Sequence, residues 1–411
     1  MKVLISAYAC EPGKGSEPEV GWQWVHQIAR FHETWVITRA NNREAIEKAL
    51  TKSPINNLHF VYVDLPEWAR FWKKGRSGVH LYYYLWQFIA YRKARNISKN
   101  KRFDIVHHIT FINMYMGPLL ALLDVPFIWG PIGANPYIPM PFCKSLGFLG
   151  LRDNMLRLAI RKISPLLDPF IYHGQRKAKQ ILAINAEIKS RLKQNIQNKC
   201  VTIPQNAIDK TLLSKAPKTF HRPLNILSVG QLVSIKGFRY SLAAFKKHLS
   251  SNAESRLTII GDGSQRHELL QYATELNISD KVFFAGKMNR ATVLMEMEKC
   301  DVFIFPSFEG AGMVVIEAMA KGLPVVCLDF GGPGEYVTDE CGIKVPLTKP
   351  AEVIQGLADA LSKLATDPGF YERLSAGAIK RVRNNYLWDS VGEQLNILYR
   401  QVYEETKNKG K

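Results

Sequence analysis

Short apolar runs alternate with longer helix-patterned segments along most of this 411-residue chain. In the first half, the runs that predict strands lie at residues 3–9, 34–38, 58–63, 105–108 and 127–130. In the second half, they lie at residues 225–229, 256–260, 282–285, 302–305 and 324–328. Strands that alternate with helices favour parallel, doubly wound sheets. The sequence therefore predicts an α/β protein with two Rossmann-like domains.

The polar, proline-bearing stretch at residues 207–223 separates the two halves of the chain. We therefore predict a first domain over residues 1–206 and a second domain over residues 207–388. The end of the chain has a helical pattern followed by several lysines, so we predict a C-terminal helix with a short basic tail over residues 389–411.

The charge balance is strongly basic, with 55 lysines and arginines against 36 aspartates and glutamates and a formal net charge of +19. Such a balance predicts an anionic partner: nucleic acid, an anionic membrane surface or a phosphorylated substrate. Segments 67–102 and 152–179 combine basic and aromatic residues. This combination favours a membrane interface. There are two alternatives. The basic and aromatic residues bind nucleic acid, or they form a solvated face over a buried aromatic core.

No segment of the sequence has the pattern of a transmembrane helix. The best candidate, residues 114–134, is interrupted by Pro118, Asp124 and Pro126. The first ten residues predict a buried strand rather than a signal sequence, because their apolar run is short and polar residues follow at once. The six cysteines are scattered without a CxxC pair, which predicts neither a zinc site nor a redox pair and fits a reducing cytoplasm.

A glycine-bearing loop with two glutamates follows the predicted strand at residues 302–305. Glu309, Gly310 and Gly312 lie in this loop, and a helix begins at Met313 and carries Glu317. Glycines let the backbone approach a ligand closely, and a helix N-terminus offers free N–H groups to a phosphate. Carboxylates repel phosphate, so the two glutamates are suited to accept hydrogen bonds from ribose and sugar hydroxyls. This arrangement predicts a nucleotide-sugar site.

The same stretch resembles the glutamate-x7-glutamate signature of retaining glycosyltransferases of family 4, which have the GT-B fold. The resemblance implies a cleft between the two domains and a C-terminal helix that crosses back to the first domain. It implies that Glu309 contacts the donor sugar and Glu317 the ribose hydroxyls. It also implies a metal-independent, front-face substitution with a nucleoside-diphosphate sugar as donor and no further cofactor.

Two other loops of the second half follow predicted strands. The first, with Gly230, Gln231 and Lys236, resembles the diphosphate loop of the family, although Gln231 stands where an arginine is usual. Lys236 would neutralise the diphosphate and is a candidate catalytic residue. The second loop, with Gly261 and Gly263, resembles a strand–turn of the family, and we expect it to shape the donor site or to be a tight turn alone.

The first half contributes further candidates. A glycine-bearing loop follows the first strand, and the resemblance implies that Gly15 and Gly21 bind the donor diphosphate through their backbone N–H groups. His107 and His108 end a strand on opposite faces, so only one of them can face the cleft. The resemblance makes either a candidate catalytic residue at the donor sugar, and the alternative is a structural role.

The predicted function is the transfer of a hexose to a saccharide or lipid-linked saccharide acceptor. The resemblance places this reaction in envelope, lipopolysaccharide or extracellular polysaccharide synthesis, in the cytoplasm and peripherally on the inner face of the membrane. No metal site is predicted, because the sequence contains no Asp-x-Asp. Two alternatives remain: a nucleotide-sugar epimerase of the same fold, and a non-enzymatic basic protein that binds surfaces or nucleic acid.

Overall fold

The computed structural model describes residues 1–73, 78–134, 136–143 and 147–408. Lys74 and Arg76, two basic residues of segment 67–102, lie outside the described residues, and so do the last three residues of the predicted basic tail.

The chain divides into two compact units. Unit 1 comprises Met1–Ala134, Ile160–Gln205 and Trp388–Lys411, and unit 2 comprises Asn135–Ala159 and Asn206–Leu387.

Unit 1 contains a seven-stranded parallel sheet in the order β3-β2-β1-β4-β5-β6-β7. Its strands are β1 (Lys2–Ala7), β2 (Glu33–Arg39), β3 (Leu58–Val63), β4 (Ile105–Thr110), β5 (Phe127–Ile132), β6 (Ala178–Ala183) and β7 (Cys200–Thr202). Every residue of β4 and β5 is buried, as expected for central strands with helices on both faces. The predicted strand at the N-terminus is β1, and it pairs with both β2 and β4.

The helices are numbered along the whole chain. Those that lie within unit 1 are α1 (Ser16–Ala29), α2 (Arg43–Lys52), α3 (Val79–Asn100), α6 (Pro169–Lys177), α7 (Ala186–Ser190), α8 (Gln194–Gln197) and α16 (Trp388–Asn408). The C-terminal helix α16 packs against α1. Arg30 Nη1 lies 2.7 Å from Asp389 Oδ1, and a Cβ added to Gly392 would lie 2.6 Å from Gln27 Oε1.

Unit 2 contains a six-stranded parallel sheet in the order β10-β9-β8-β11-β12-β13. Its strands are β8 (Asn225–Val229), β9 (Arg256–Ile260), β10 (Val282–Gly286), β11 (Val302–Phe305), β12 (Val325–Leu328) and β13 (Gly342–Val345). Its helices are α4 (Met140–Cys143), α9 (Phe238–Leu249), α10 (Arg266–Glu275), α11 (Arg290–Lys299), α12 (Met313–Ala320), α13 (Gly331–Tyr336), α14 (Pro350–Thr366) and α15 (Pro368–Asn385). Helix α5 (Gly147–Leu167) contains the division between the units.

Both sheets start from a central strand, extend by two strands to one side and then continue on the other side. This is the Rossmann order, so the predicted fold class is confirmed. The division of the chain differs from the predicted one by a single residue at Asn206 and at Trp388, and more widely at residues 135–159, which group with unit 2. Phe142 explains this grouping, because its ring packs 5.4 Å from that of Phe308 and 6.1 Å from that of Tyr240.

Candidate functional site

An ion pair joins two loops at the carboxyl ends of the unit 2 strands. Lys236 ends a short 3-10 turn after β8, and Glu309 lies in the loop after β11. The Lys236 ammonium donates a hydrogen bond to Oε2 of Glu309, and the two side chains are only 18% and 20% exposed. Ligands of open α/β sheets bind at this edge. The structure therefore brings together two of the predicted site residues where a ligand is expected.

The second carboxylate oxygen of Glu309 is buried and has no hydrogen-bond partner among the described residues. A Cβ added to Gly312, which precedes α12, would lie 3.5 Å from this oxygen and 3.3 Å from the ring of Pro333. Gly310 and Met313 flank the same helix start and are partly exposed. A buried oxygen without a partner is uncommon in native proteins, and a hydroxyl of a bound ligand would satisfy it.

Glu317 lies in the second turn of α12 and is 7% exposed. Its Oε1 accepts a hydrogen bond of 2.6 Å from Nε of Arg290, the first residue of α11. The Arg290 side chain is 56% exposed, so the pair presents a cation at the surface beside a buried carboxylate. Sequence reasoning missed Arg290. The signal for it was the capping residue Asn289, which starts a helix three residues after the end of β10.

The glycines of the two neighbouring loops allow close backbone contact. A Cβ added to Gly261 would lie 1.8 Å from the carbonyl oxygen of Gly230, and one added to Gly263 would lie 2.4 Å from that of Leu232. Gly261 also has a φ of +146°, which other residues rarely adopt. These glycines position the loop that leads to Lys236. The side chain of Gln231, in the same loop, is exposed.

In unit 1, the two candidate glycines have different surroundings. Gly15 precedes α1 with a φ of +71°, and a Cβ added there would meet nothing within 4 Å. Gly21 lies inside α1, where a Cβ would lie 2.0 Å from the carbonyl oxygen of Ala9. The backbone N–H groups left free at a helix start belong to its first turn. The placement therefore favours Gly15 as a ligand contact and assigns Gly21 a packing role.

His107 and His108 are both buried in unit 1, on opposite faces of β4 as predicted. His107 contacts the hydroxyl of Tyr399 through Nδ1 and lies 2.7 Å from the carbonyl oxygen of Gly130 through Nε2. Because that carbonyl can only accept, Nε2 carries the proton. His108 Nε2 lies 2.6 Å from the hydroxyl of Tyr83. Burial lowers the pKa of each histidine to about 3, so both are neutral. A catalytic role for them stays a prediction that this burial does not favour.

Glu17, in the first turn of α1, contacts the loop that follows β4. Its Oε1 accepts a hydrogen bond of 2.6 Å from the backbone N–H of Ile112. Burial raises the pKa of Glu17 to about 7, and the hydrogen bond from Ile112 opposes this shift. A carboxyl group with such a pKa can exchange a proton at neutral pH. The segment after β1 contains Glu11, Glu17 and Glu19, and only the structure distinguishes Glu17 from the other two.

Within the described residues, no group of three or more His, Cys, Asp or Glu side chains is arranged to hold a metal ion.

Residues 209–381 match the family described as Glycosyl transferases group 1. This segment is a group 1 glycosyltransferase domain. The group 1 domain contains Lys236, Glu309, Glu317 and Arg290, together with the strands β8 to β13 that position them.

Two curated relatives show how far this similarity extends. An uncharacterized glycosyltransferase of Methanocaldococcus jannaschii is 34% identical over 181 residues, which is 44% of this chain and 45% of the relative. A GDP-mannose-dependent monoacylated alpha-(1-6)-phosphatidylinositol monomannoside mannosyltransferase of Corynebacterium glutamicum is 26% identical over 307 residues, 72% of this chain and 78% of the relative. The chain spans slightly less than half the length of the first curated relatives that it matches.

Solved structures match almost the whole chain. Sucrose-phosphate synthase from Thermosynechococcus elongatus has a TM-score of 0.67 at 16% identity and covers 98% of this chain and 99% of its own. HepE of Anabaena, solved in complex with UDP, has a TM-score of 0.64 at 17% identity and covers 98% of this chain and 100% of its own. At such identities the likeness establishes the fold, which is that of the GT-B glycosyltransferases.

Proposed function

We propose that the protein transfers a hexose from a nucleoside-diphosphate sugar to a hydroxyl group of a saccharide or lipid-linked saccharide acceptor. The observation that carries this proposal is the Lys236–Glu309 ion pair, with one Glu309 oxygen buried and unpaired beside the start of α12. A cation, a helix N-terminus and a free carboxylate oxygen match the diphosphate and the hydroxyl groups of such a donor.

In the proposed reaction, the acceptor oxygen attacks the anomeric carbon on the face from which the diphosphate departs. The bond between that carbon and the β-phosphate oxygen breaks, and the acceptor proton passes to an oxygen of the departing phosphate. The anomeric configuration is then retained. Lys236 and the N–H groups at the start of α12 stabilise the negative charge that develops on the phosphate. We propose that these groups make a bound metal unnecessary.

The second glutamate has a separate role in this proposal. Glu317, held by Arg290, accepts hydrogen bonds from the ribose hydroxyls, and the exposed Arg290 guanidinium supplies a second positive charge on the same sheet edge. This charge offsets the absence of an arginine at Gln231. The relative from Corynebacterium glutamicum is named for GDP-mannose, and the HepE structures contain UDP or UDP-glucose. Guanine and uracil are therefore the first bases to test.

The proposal is tested by calorimetry and thermal shift with UDP, GDP, ADP and their sugar conjugates, beside the variants Glu309→Gln and Glu317→Gln. A ligand that binds only the native state raises its apparent stability. We expect one nucleotide to stabilise the wild type, and to stabilise Glu317→Gln much less. We expect the wild type to release the diphosphate when an acceptor is present, also in EDTA, and to yield a product with the donor's anomeric configuration.

Other outcomes would identify the alternatives. An isomerised nucleotide sugar formed without any acceptor would identify an epimerase. No response to any nucleotide would contradict the donor site and leave a non-enzymatic binding protein.

We further propose that the acceptor belongs to envelope, lipopolysaccharide or extracellular polysaccharide synthesis, and that the protein works at the inner face of a membrane. The net charge of +19 supports an anionic surface as partner.

A further inference from the structure

Exposed apolar side chains are concentrated on three helices of the chain. Among the described residues, 10 of the 19 large hydrophobic side chains that are exposed lie on α3, α5 and α6. Leu166 and Leu167, at the end of α5, are 84% and 75% exposed. Single exposed apolar residues are ordinary, whereas such a concentration marks an interaction surface. No helix in the described part of the chain has both the length and the apolarity needed to cross a bilayer.

Helix α3 has one buried face and one exposed face, and the exposed face is apolar in its first half and basic in its second half. Its buried face includes Tyr82, Tyr83, Trp86 and Ala90. The exposed residues recur at alternate steps of four and three, which is one helix face. Along this line Leu81, Leu85 and Phe88 come first, and Arg92, Arg95 and Lys99 follow. The stripe therefore changes from apolar to basic along a single helix.

The start of α6 connects the other two helices. Asp168, between α5 and α6, accepts hydrogen bonds from the backbone N–H groups of Phe170 and Gly117. The ring of Phe170 lies 6.4 Å from that of Phe88 and 6.4 Å from that of Tyr84, both on α3. The exposed end of α5 therefore leads directly to the apolar half of the α3 stripe.

The charge of these helices is almost entirely positive. Helices α3, α5 and α6 carry ten lysines and arginines against one aspartate, and this net +9 is nearly half of the formal +19 of the chain. A surface groove of about 670 Å³ follows the basic half of α3. It is lined by Phe88, Tyr91, Arg92, Arg95, Asn96 and Lys99. Three cations beside two aromatic rings suit an anionic headgroup at a lipid interface.

We propose that α3, the end of α5 and α6 dock on an anionic lipid surface, with Leu81, Leu85, Phe88, Leu166 and Leu167 in the acyl boundary. The arginines and lysine of the groove on α3 then contact the lipid phosphates. Aliphatic side chains gain nothing from nucleic acid, which favours basic residues with stacking aromatics. A second copy of the chain would bring two strongly basic surfaces together, which is unfavourable. Docking of this kind would bring the protein to a lipid-linked acceptor, and this purpose rests on the proposed function. The binding to lipid does not depend on the proposed reaction.

The test is sedimentation of the full chain with sucrose-loaded vesicles, without donor or acceptor, so it can fail or succeed independently of catalysis. The vesicles are either pure phosphatidylcholine or a mixture with phosphatidylglycerol. The basic variant is Arg92→Gln/Arg95→Gln, and its matched control is Lys380→Gln/Arg383→Gln, an exposed pair of the same spacing on α15. The apolar variant is Leu166→Ser/Leu167→Ser, and its control is the exposed Ile397→Ser on α16.

We expect binding to the anionic vesicles at low salt and release at about 0.5 M salt, where the Debye length is only a few ångströms. The apparent affinity of the basic variant for the anionic vesicles should fall about tenfold or more, because each basic residue near an anionic membrane surface adds to the electrostatic attraction. The apolar variant should also bind the anionic vesicles more weakly, and both controls should bind like the wild type. Equal binding to neutral and anionic vesicles, an equal loss in the controls, or binding to DNA without any binding to vesicles would overturn the proposal.

Discussion

Lys236 and Glu309 are paired across two loops, while the other carboxylate oxygen of Glu309 is buried without a partner. Each residue therefore neutralises the other when no ligand is bound. A diphosphate that approaches Lys236 competes with Glu309 for the same ammonium. The carboxylate is then free to accept hydrogen bonds through both oxygens, which a sugar with neighbouring hydroxyl groups can supply. The ion pair keeps two charged groups compatible with burial until the donor binds.

Replacing Lys236 with Met should remove the charge that stabilises the departing diphosphate. We expect kcat to fall by roughly 10²- to 10³-fold, the loss typical of removing one donor to a developing negative charge. Lys246→Met, at an exposed position on α9, is the control and should leave kcat unchanged. Steady-state kinetics with the donor found by the binding screen measure both. A Lys236→Met enzyme with a normal kcat would remove Lys236 from the mechanism.

Gly261→Ala should disrupt the donor site because its Cβ would lie 1.8 Å from the carbonyl oxygen of Gly230. We expect a loss of about 2–3 kcal/mol of stability, as strain of this kind usually produces, and weaker nucleotide binding. Gly286→Ala is the matched control, since Gly286 also has a positive φ, of +73°, but open space around it. That variant should lose only about 1 kcal/mol. Chemical denaturation and calorimetry compare the two, and equal losses would contradict the proposed loop contact.

Much of the fold could be predicted from the sequence because the central strands are continuous apolar runs. The strands β8, β9 and β11 begin and end where the pattern predicts. The strands β6, β7 and β13 escaped prediction for identifiable reasons. Lys179 and Gln180 interrupt the apolar pattern of β6, β7 has only three residues, and Gly342 and Lys344 interrupt the apolar pattern of β13. Short or mixed runs do not carry a strand signal above that of a loop.

The candidate site could be predicted only in part. Lys236 and Glu309 were indicated because each follows a strand in a loop with glycines. Their pairing, and that of Glu317 with Arg290, depends on the tertiary approach of separate loops and helices. The burial of His107 had no local signal either. Its hydroxyl partner Tyr399 is 292 positions further along the chain.

Acid should destabilise unit 1 through His107. Burial lowers the pKa of His107 to about 3 from an ordinary value of 6.5, so its contribution to stability is complete above pH 6.5. That contribution declines as the pH falls from 6.5 towards 3, because the unfolded chain then binds the proton more readily. At about pH 5 the loss is on the order of 2 kcal/mol for one such histidine. Melting curves of the wild type, His107→Gln and the exposed control His267→Gln measure it.

We expect His107→Gln to be less stable at neutral pH but to show a shallower decline towards acid. His267→Gln should follow the wild-type profile. A His107→Gln curve parallel to that of the wild type would show that this histidine is not held neutral.

Glu17 should make the protein less stable as the pH rises, whereas His107 makes it less stable as the pH falls. Burial raises the pKa of its carboxyl group to about 7 from 4.5. The folded state therefore holds a proton that the unfolded state releases between these values, and stability declines as the pH rises from 4.5 to 7. Glu17→Gln cannot ionise and keeps an oxygen for the N–H group of Ile112. Partial exposure of Glu17 limits the effect, and we expect the variant to gain on the order of 1–2 kcal/mol over the wild type between about pH 5 and pH 8.

The measurement is denaturation of both proteins across this pH range, beside Glu44→Gln at an exposed glutamate in the first turn of α2. The control should run parallel to the wild type, because an exposed carboxylate interacts with water in both states. The difference between Glu17→Gln and the wild type should widen with rising pH and level off above about pH 7. A constant difference would show that folding does not raise the pKa of Glu17.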